Sequence, residues 1–507
     1  MRKGSVVKNA FGLTIINILI SVAGLLRTQT IASVFGLATV TDSYIVASTL
    51  PQFFMSFLTI VLSPVFLPLF IEHRSNKEDF FELVNTILWI IIFIGILVTL
   101  VIVCFNSQII QLIVPEFTTQ AKQLTAYLSN ILVLQSVVIS IYSLLYVLLN
   151  SYNQYQMPQM AQLIYNAACV LSILFLGKEY GIEGVAWGNL ASSLLLIIIL
   201  VPSIKRLGFK PNLRINLKHD ALQKAIILAC PLLISGIFSN IYVFMEKHIT
   251  SGLQTGSITI IDIANKLTQF PISIIGLALA TVSFPFFATK VIEQKKEELA
   301  NIVDYSLKIT FIIAVPISVG LVIVARPLVE ILFFRGAVNY SNVIGIQKTL
   351  TFYSIGIVPQ IISMVLAKLY YSVRKIKVIV IIGIVTTLAT ILFQIILARA
   401  FNYGGIALGS SLGAVLNVFM MIIYAYKNIV SFYIKELILV ATKCIFASVI
   451  MWAGVLSLSR WVDAKILELS LDVVIGIILY IIVMRIFKVK EFERLIEEVM
   501  PFVKSTK

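Results

Sequence analysis

The feature that most constrains this chain is a recurrence of apolar runs, each about twenty residues long, from Phe11 to Val483 with only short polar breaks. A run of about 18 or more mostly apolar residues crosses a bilayer as a helix. In hydrocarbon every backbone N–H and C=O must be satisfied within the segment itself. Hydropathy gives about fourteen such spans, the first centred near Ile20 and the last near Ile477. Composition points the same way, with 59% of the 507 residues apolar and 12% charged. Soluble domains run at about 45–50% and about 25%. The fold class is therefore an all-α polytopic membrane protein. A disordered chain, a disulfide scaffold and a soluble enzyme are excluded.

The net charge of +15 could belong to a nucleic-acid binder, but its placement argues otherwise. An even number of spans puts both termini on one side. With the N-terminus inside, basic residues crowd the cytoplasmic loops: Lys205, Arg206, Lys210, Arg214 and Lys218 in one, Lys290, Lys295 and Lys296 in a second, Arg374, Lys375 and Lys377 in a third. About 25 Lys and Arg fall inside against about 8 outside, the asymmetry that sets orientation. Both termini are thus expected in the cytoplasm, with a secondary attraction of the loops to anionic lipid. No nucleic acid is called for. Cys104, Cys169, Cys230 and Cys444 each lie inside an apolar run without metal-ligand spacing and read as small buried apolar residues. Met1-Arg2-Lys3 opens a segment that is long, carries Arg27 and lacks a small-residue cleavage site; it reads as a retained first helix.

The chain repeats itself. Ala47-Ser48-Thr49-Leu50-Pro51-Gln52-Phe53 matches Ala264-Asn265-Lys266-Leu267-Thr268-Gln269-Phe270, and Gly184-Val185-Ala186-Trp187-Gly188 matches Gly405-Ile406-Ala407-Leu408-Gly409. The offset covers six spans and so preserves the direction of the chain across the membrane. Two parallel six-helix lobes follow, an N-lobe over 1–215 and a C-lobe over 216–430. Two extra helices and a cytoplasmic tail occupy 431–507. Parallel repeats are a transporter architecture with the substrate site expected between lobes near the midplane.

Enzyme chemistry finds no support. His73, His219 and His248 are the only histidines, all near expected membrane edges and without metal-ligand partners. Paired carboxylates, a Gly-rich phosphate loop and a nucleophile elbow are absent. His73 and Glu78 faintly resemble an acyltransferase spacing, which the charged run Glu72 to Asp79 explains. No catalytic residue, metal or cofactor is expected.

What remains is charge inside spans. A centred Arg or Lys costs about 2.5–3.5 kcal/mol on insertion scales, so such residues face a cavity or a partner. Arg27 lies late in the first helix and Asp42 opens the second; Lys266, Lys308 and Lys368 follow in the eighth, ninth and tenth. One reading pairs Arg27 with Asp42 across a hairpin and lets Lys308 snorkel to an interface. The other notes that the cations lack enough intramembrane acids to neutralise them, and a cationic cavity calls for an anionic substrate. Pro51, Pro64 and Pro68 interrupt the second helix and Pro271 and Pro285 the eighth. Proline frees backbone groups and permits bending, so Pro51 and Pro271 are candidate hinges, with packing kinks the alternative.

The stretch Arg27-Thr28-Gln29-Thr30-Ile31-Ala32-Ser33-Val34-Phe35-Gly36, with Thr41-Asp42-Ser43-Tyr44-Ile45-Val46-Ala47 and Leu50-Pro51, resembles the MurJ (MviN) lipid II flippases. Their superfamily also holds Wzx oligosaccharide flippases and MATE drug antiporters. The resemblance continues through Ala264 to Pro285, Pro327-Leu328-Val329, Leu332-Phe333, Gly336 and Gly404-Gly405-Ile406-Ala407. The family's central arginines match Arg27, but others fall on Ser21, Met55 and Lys266, and Lys lacks the planar bidentate fork for phosphate. Acids flanking the eighth-helix cation become Asn265 and Gln269. The eleventh helix offers Thr386, Thr387, Thr390 and Gln394 but no carboxylate.

The resemblance implies a flippase, not an enzyme, for an undecaprenyl-diphosphate-linked glycan moving from the inner to the outer leaflet by alternating access. Lipid II is the first cargo, another lipid-linked oligosaccharide the second, and a MATE-type cation-coupled antiporter the third reading. Arg27, Asp42 and Lys266 are the expected substrate residues, with Asn265, Gln269 and Lys368 secondary. Arg27 and Lys266 would neutralise the diphosphate while Asp42 orients Arg27. The prenyl tail would lie in a groove lined partly by the last two helices. The segments around Ser43 and Ser257 should approach each other when the cavity faces the cytoplasm. The expected setting is a monomer in the bacterial cytoplasmic membrane, driven by a Na+ or H+ gradient or by the membrane potential.

Overall fold

The computed structural model describes residues 3–458 and 465–504, and every regular element among them is helical. Met1 and Arg2 lie outside the described residues. Packing divides the chain into two compact units, Met1–Thr259 with Gly336–Val338, and Ile260–Arg335 with Asn339–Lys507. The lobe boundaries expected at 215 and 430 follow sequence symmetry, whereas this division follows contact.

The first unit contains α1 (Lys3–Phe35), α2 (Thr39–Val61), α3 (Leu67–His73), α4 (Lys77–Cys104), α5 (Asn106–Ile113), α6 (Thr119–Leu132), α7 (Gln135–Ser151), α8 (Gln156–Leu207) and α9 (Asp220–Ser251). α2 and α3 form one 35-residue span, Thr39–His73, joined through a π-helical turn at Leu62–Phe66. Pro64 sits inside that turn; its missing N–H and its ring open the i→i−4 ladder. α9 is tied to α2 by a reciprocal pair, Ser56 Oγ donating to Asn240 Oδ1 at 3.0 Å and Asn240 Nδ2 to Ser56 Oγ at 2.7 Å. The basic loop before α9 is pinned as well. Fully buried Asn85 donates to Asn212 Oδ1 at 2.8 Å and to the Arg214 carbonyl at 2.6 Å, and accepts from Asn212 N at 2.9 Å. The core beneath is aromatic and aliphatic, with Phe70, Phe80, Leu83 and Leu148 wholly buried.

The sequence repeat reappears as a backbone feature. α8 is two helices broken at Gly181, with φ 62° and ψ −153°, a region essentially reserved for glycine. In the second unit Asn402 stands 221 residues later with φ 51° and ψ −134° and breaks the chain in the same way. After each break comes a G-x-x-x-G pair that lets two helices approach closely. A Cβ at Gly188 would lie 2.8 Å from Ser172 Oγ, and one at Gly409 would lie 2.7 Å from the Gln394 backbone nitrogen.

That second unit holds α10 (Ser257–Pro271, its first turn belonging to the first unit), α11 (Leu277–Ile292), α12 (Lys296–Phe333), α13 (Tyr340–Ser354), α14 (Ile357–Ser372), α15 (Ile376–Phe401), α16 (Tyr403–Asn428), α17 (Ile434–Leu458), α18 (Lys465–Ile486) and α19 (Lys490–Lys504). A second π-helical turn, Ile272–Gly276, follows Pro271 directly. α18 is fixed to α12 by Tyr480, whose hydroxyl donates to the Ile312 carbonyl at 2.9 Å. Lys308 does not snorkel. It is buried on α12 with its ammonium 2.7 Å from Asp304, 2.7 Å from Glu436 of α17 and 3.1 Å from Glu491 of α19. Asp304 lies one helical turn earlier, while Glu436 and Glu491 converge from helices distant in sequence, which local spacing could not reveal.

Among the described residues ten helices are long and apolar enough to cross a membrane, or twelve if the bent pairs α6–α7 and α13–α14 each make one span. The fourteen expected from hydropathy is close to this count, and Gly181 breaks the 52-residue α8 into two helices. Two of the four cysteines depart from expectation: Cys169 and Cys444 are buried, but Cys104 and Cys230 are exposed. In a bilayer an apolar side chain is equally at ease facing lipid, so hydropathy does not separate the two.

Candidate functional site

Arg27 sits in the last third of α1. Its Nη1 donates to the Tyr165 hydroxyl at 3.3 Å and its Nη2 to the Tyr44 hydroxyl at 3.1 Å. The guanidinium also lies over the Tyr165 ring, 5.7 Å from its centre. Both tyrosines meet a fourth residue, buried Asn189. Tyr165 donates to Asn189 Oδ1 at 2.8 Å, and Asn189 Nδ2 donates to the Tyr44 hydroxyl at 2.8 Å. The four side chains close a ring drawn from α1, α2 and both halves of α8. Among the described residues no carboxylate pairs with Arg27. Its partners are polar and neutral, so its charge stands uncompensated.

Asp42 is not the partner of Arg27. It is buried at the start of α2, where Oδ2 accepts from Gly256 N at 2.7 Å and Oδ1 from Thr259 N at 2.9 Å and Thr259 Oγ1 at 2.6 Å. The carboxylate thus caps the first turn of α10, satisfying N–H groups that a helix start leaves orphaned and meeting the positive end of its dipole. Sequence proximity suggested the Arg27 pairing, but the helix cap offers three donors at once. Gly256 is needed there: its φ is +87°, and a Cβ would lie 2.5 Å from the Leu37 carbonyl. Gly336 (φ +60°) approaches Ser33 in the same region, where Ala337 N donates to the Ser33 carbonyl at 2.9 Å. The segments that contain Ser43 and Ser257 are joined here through their neighbours Asp42 and Thr259.

Lys266 lies on α10 with its ammonium 2.7 Å from Asp262, one turn earlier. This corrects the view of it as a cation without an intramembrane acid; the i,i+4 spacing of Asp262 and Lys266 is legible in the sequence. Asn265 is half-buried on the same helix. Gln269 donates to Gln360 Oε1 at 3.2 Å, joining α10 to α14. Lys368 of α14 is held by rings, its ammonium 5.7 Å from Phe284 and 5.8 Å from Tyr371. Pro51 is buried inside α2, and Pro271 closes α10 at the edge of its π turn. Thr386 and Gln394 are buried and engaged, by Asn417 at 3.1 Å and Ser410 at 2.9 Å. No cluster of three or more His, Cys, Asp or Glu that could hold a metal occurs among the described residues.

Tyr44, Tyr165, Asn189 and Thr259 escaped the sequence reading. Polar residues in long apolar helices gave a weak hint for the first three. For Thr259 the hint was sharper, because it lies 217 residues after Asp42, the same offset that separates Ala47 from Ala264. A cavity of about 600 Å³ among α2, α4 and α9 is lined only by apolar side chains such as Phe53, Phe57, Ile87, Leu97 and Leu222, and offers nothing to hold a charged headgroup.

A probable lipid II flippase MurJ of Buchnera aphidicola subsp. Schizaphis graminum is 26% identical over 444 residues, 86% of each chain. The lipid II flippase MurJ of Burkholderia cenocepacia is 24% identical over 418 residues, 80% of this chain and 81% of its own. In fold the chain is similar to a lipid II flippase MurJ structure in an inward closed conformation, at TM-score 0.81 and 23% identity over 94% of this chain and 98% of that one. An inward-facing multidrug resistance MATE transporter of the MOP superfamily shares the fold more loosely, at TM-score 0.70 and 12% identity over 82% and 95%. The family model described as lipid II flippase MurJ matches residues 31–472. The chain is a member of the lipid II flippase MurJ family, a multi-pass bacterial membrane protein of a transporter lineage.

Proposed function

We propose that this protein moves lipid II from the inner to the outer leaflet of the cytoplasmic membrane by alternating access, with both termini in the cytoplasm, and that Arg27 binds the diphosphate. The observation that carries the site is the guanidinium of Arg27 among neutral hydroxyls. An Arg in a membrane helix that lacks an acid awaits an anion, and the planar guanidinium suits a phosphate bidentately. Lys266, with Asp262 at 2.7 Å, is a secondary ligand whose charge is shared. Lys368 and the amides Asn265 and Gln269 serve the polar headgroup in the same reading.

Gating falls to the Asp42 cap and to the two π turns. The cap holds the starts of α2 and α10 together and must break when these segments part. The turns Leu62–Phe66 and Ile272–Gly276, each at a proline, are the places where these spans bend. The drive is the membrane potential or a Na+ or H+ gradient. Two negative charges moving outward through 100 mV release about 4.6 kcal/mol, at about 2.3 kcal/mol per charge.

Depletion in the native bacterium tests the whole reading. Lipid II should accumulate in the inner leaflet and become inaccessible to an externally added lipid II-cleaving toxin. Accumulation of a different lipid-linked glycan, with lipid II still accessible outside, would replace lipid II as cargo.

A further inference from the structure

The ring around Arg27 has a property that none of its members has alone. It satisfies a half-buried guanidinium without adding negative charge. Two phenol hydroxyls accept from Arg27, and each is in turn held by one side of the Asn189 amide. The two tyrosines need opposite things from that position. Tyr165 accepts from Arg27 and donates its proton, so it needs an acceptor, supplied by Asn189 Oδ1 at 2.8 Å. Tyr44 accepts a hydrogen bond from Arg27 and has a second lone pair for a donor, supplied by Asn189 Nδ2 at 2.8 Å. Only a side chain with a donor and an acceptor side by side fits both. An ionised aspartate is acceptor-only and leucine is neither. Cys169 adds a weak S–H contact to the same oxygen at 3.3 Å. Asn189 is 3% exposed and Tyr44 likewise, so the amide is locked on both sides.

We infer that Asn189 is a positioning residue for anion recognition: through Tyr44 and Tyr165 it aims the Arg27 guanidinium while leaving its full charge free for an oxyanion. The inference rests on the reading of Arg27 as the diphosphate ligand and deepens it. The chemistry that recognises the ligand is thereby a fixed, uncompensated planar cation. A salt-bridged arginine would first have to break an ion pair before it could bind phosphate, and a mobile one would lose side-chain entropy on binding.

The test compares two substitutions of nearly equal size, Asn189→Leu and Asn189→Asp, with Arg27→Ala as reference. Each full-length variant is purified, its thermal unfolding recorded, and its affinity for lipid II measured at two salt concentrations. A purely structural role predicts that leucine, which loses both hydrogen bonds, harms at least as much as aspartate, which keeps the acceptor. The positioning role predicts the reverse order. Asn189→Leu should weaken binding several-fold, whereas Asn189→Asp should weaken it by about tenfold or more, approaching Arg27→Ala and flattening the salt dependence. Equal losses, or an aspartate variant that binds like the parent, would overturn the inference. If Asn189→Asp does not fold, Tyr165→Phe serves in its place. It keeps the ring over the guanidinium and removes one hydroxyl, and it should weaken lipid II binding several-fold without lowering the unfolding temperature to match; unchanged binding would count against the role. Should Arg27→Ala bind lipid II as the parent does, the diphosphate reading itself fails. Should Arg27→Ala lose binding while both Asn189 variants keep it, only the positioning role fails.

Discussion

Asp42 and Thr259 occupy equivalent places in the two copies of the sequence repeat, and they are bonded to each other: the carboxylate of one accepts from the backbone and the hydroxyl of the other, at 2.9 and 2.6 Å. The duplicated position has diverged into a complementary pair, an acid in the first copy and a donor in the second. A helix cap of this sort is worth about 1 kcal/mol, and hydrogen bonds to a charged acceptor about 1.5–3 kcal/mol. That is strong enough to hold a state and weak enough to be broken in each cycle.

Breaking the cap should therefore cost function more than fold. Asp42→Ala is expected to lower flipping in a depleted strain by about tenfold or more, while the purified protein loses about 1–3 kcal/mol of stability. Asp42→Asn, which retains acceptor capacity at one oxygen, should fall between. Normal growth on Asp42→Ala alone would remove the cap from the gating cycle.

Paired cysteines at the same two positions give the complementary experiment. Asp42→Cys with Thr259→Cys should crosslink under oxidation and block flipping, with recovery on reduction. A bond that forms quantitatively while flipping runs at its normal rate is the result that sinks the gate.

For the cations the expected order is set by their partners. Arg27→Ala should abolish flipping with the protein still inserted, and Arg27→Lys should retain little, because an ammonium cannot make the bidentate contact. Lys266→Ala should be milder, since Asp262 already shares that charge. Full rescue of a depleted strain by both alanine variants would refute the cationic site.

Lys308 bears on stability. Lys308→Ala would leave buried Asp304 without the cation it shares with Glu436 and Glu491. Breaking a fully buried pair costs about 3–5 kcal/mol, and the largely exposed Glu436 brings the expected loss below that. A markedly lowered unfolding temperature is expected, along with release of α19 to proteolysis. An unchanged melting curve would show that the cluster contributes little.

Orientation can be read at Leu213, which is 81% exposed in the loop before α9. A membrane-impermeant thiol reagent should reach Leu213→Cys only after the cells are opened. Labelling of intact cells would reverse the assigned topology.

Hydropathy by itself determined that this chain is a bundle of membrane helices, because a bilayer leaves the backbone no other solution. The repeat was equally plain in the sequence, in Gly184-Val185-Ala186 against Gly405-Ile406-Ala407, and the structure sets each copy just after a backbone break, at Gly181 or Asn402. The single residue Arg27 was legible too, since a charge in an apolar helix stands out against its neighbours. Its partners were not. Asp42 looked like the counter-ion because it is fifteen residues away in the chain, yet the first turn of α10 offers it three donors from more than two hundred residues further on. Asn189, Tyr44 and Tyr165 carry no charge, so hydropathy passes over them, and their roles exist only when three helices bring a donor and an acceptor to the same point. Lys308 likewise drew two of its three acids, Glu436 and Glu491, from helices far away in sequence. The apolar pattern is a property of each segment against its solvent and can be read one segment at a time. The pairing of buried polar groups is a property of the packed assembly, and tertiary structure alone decided it.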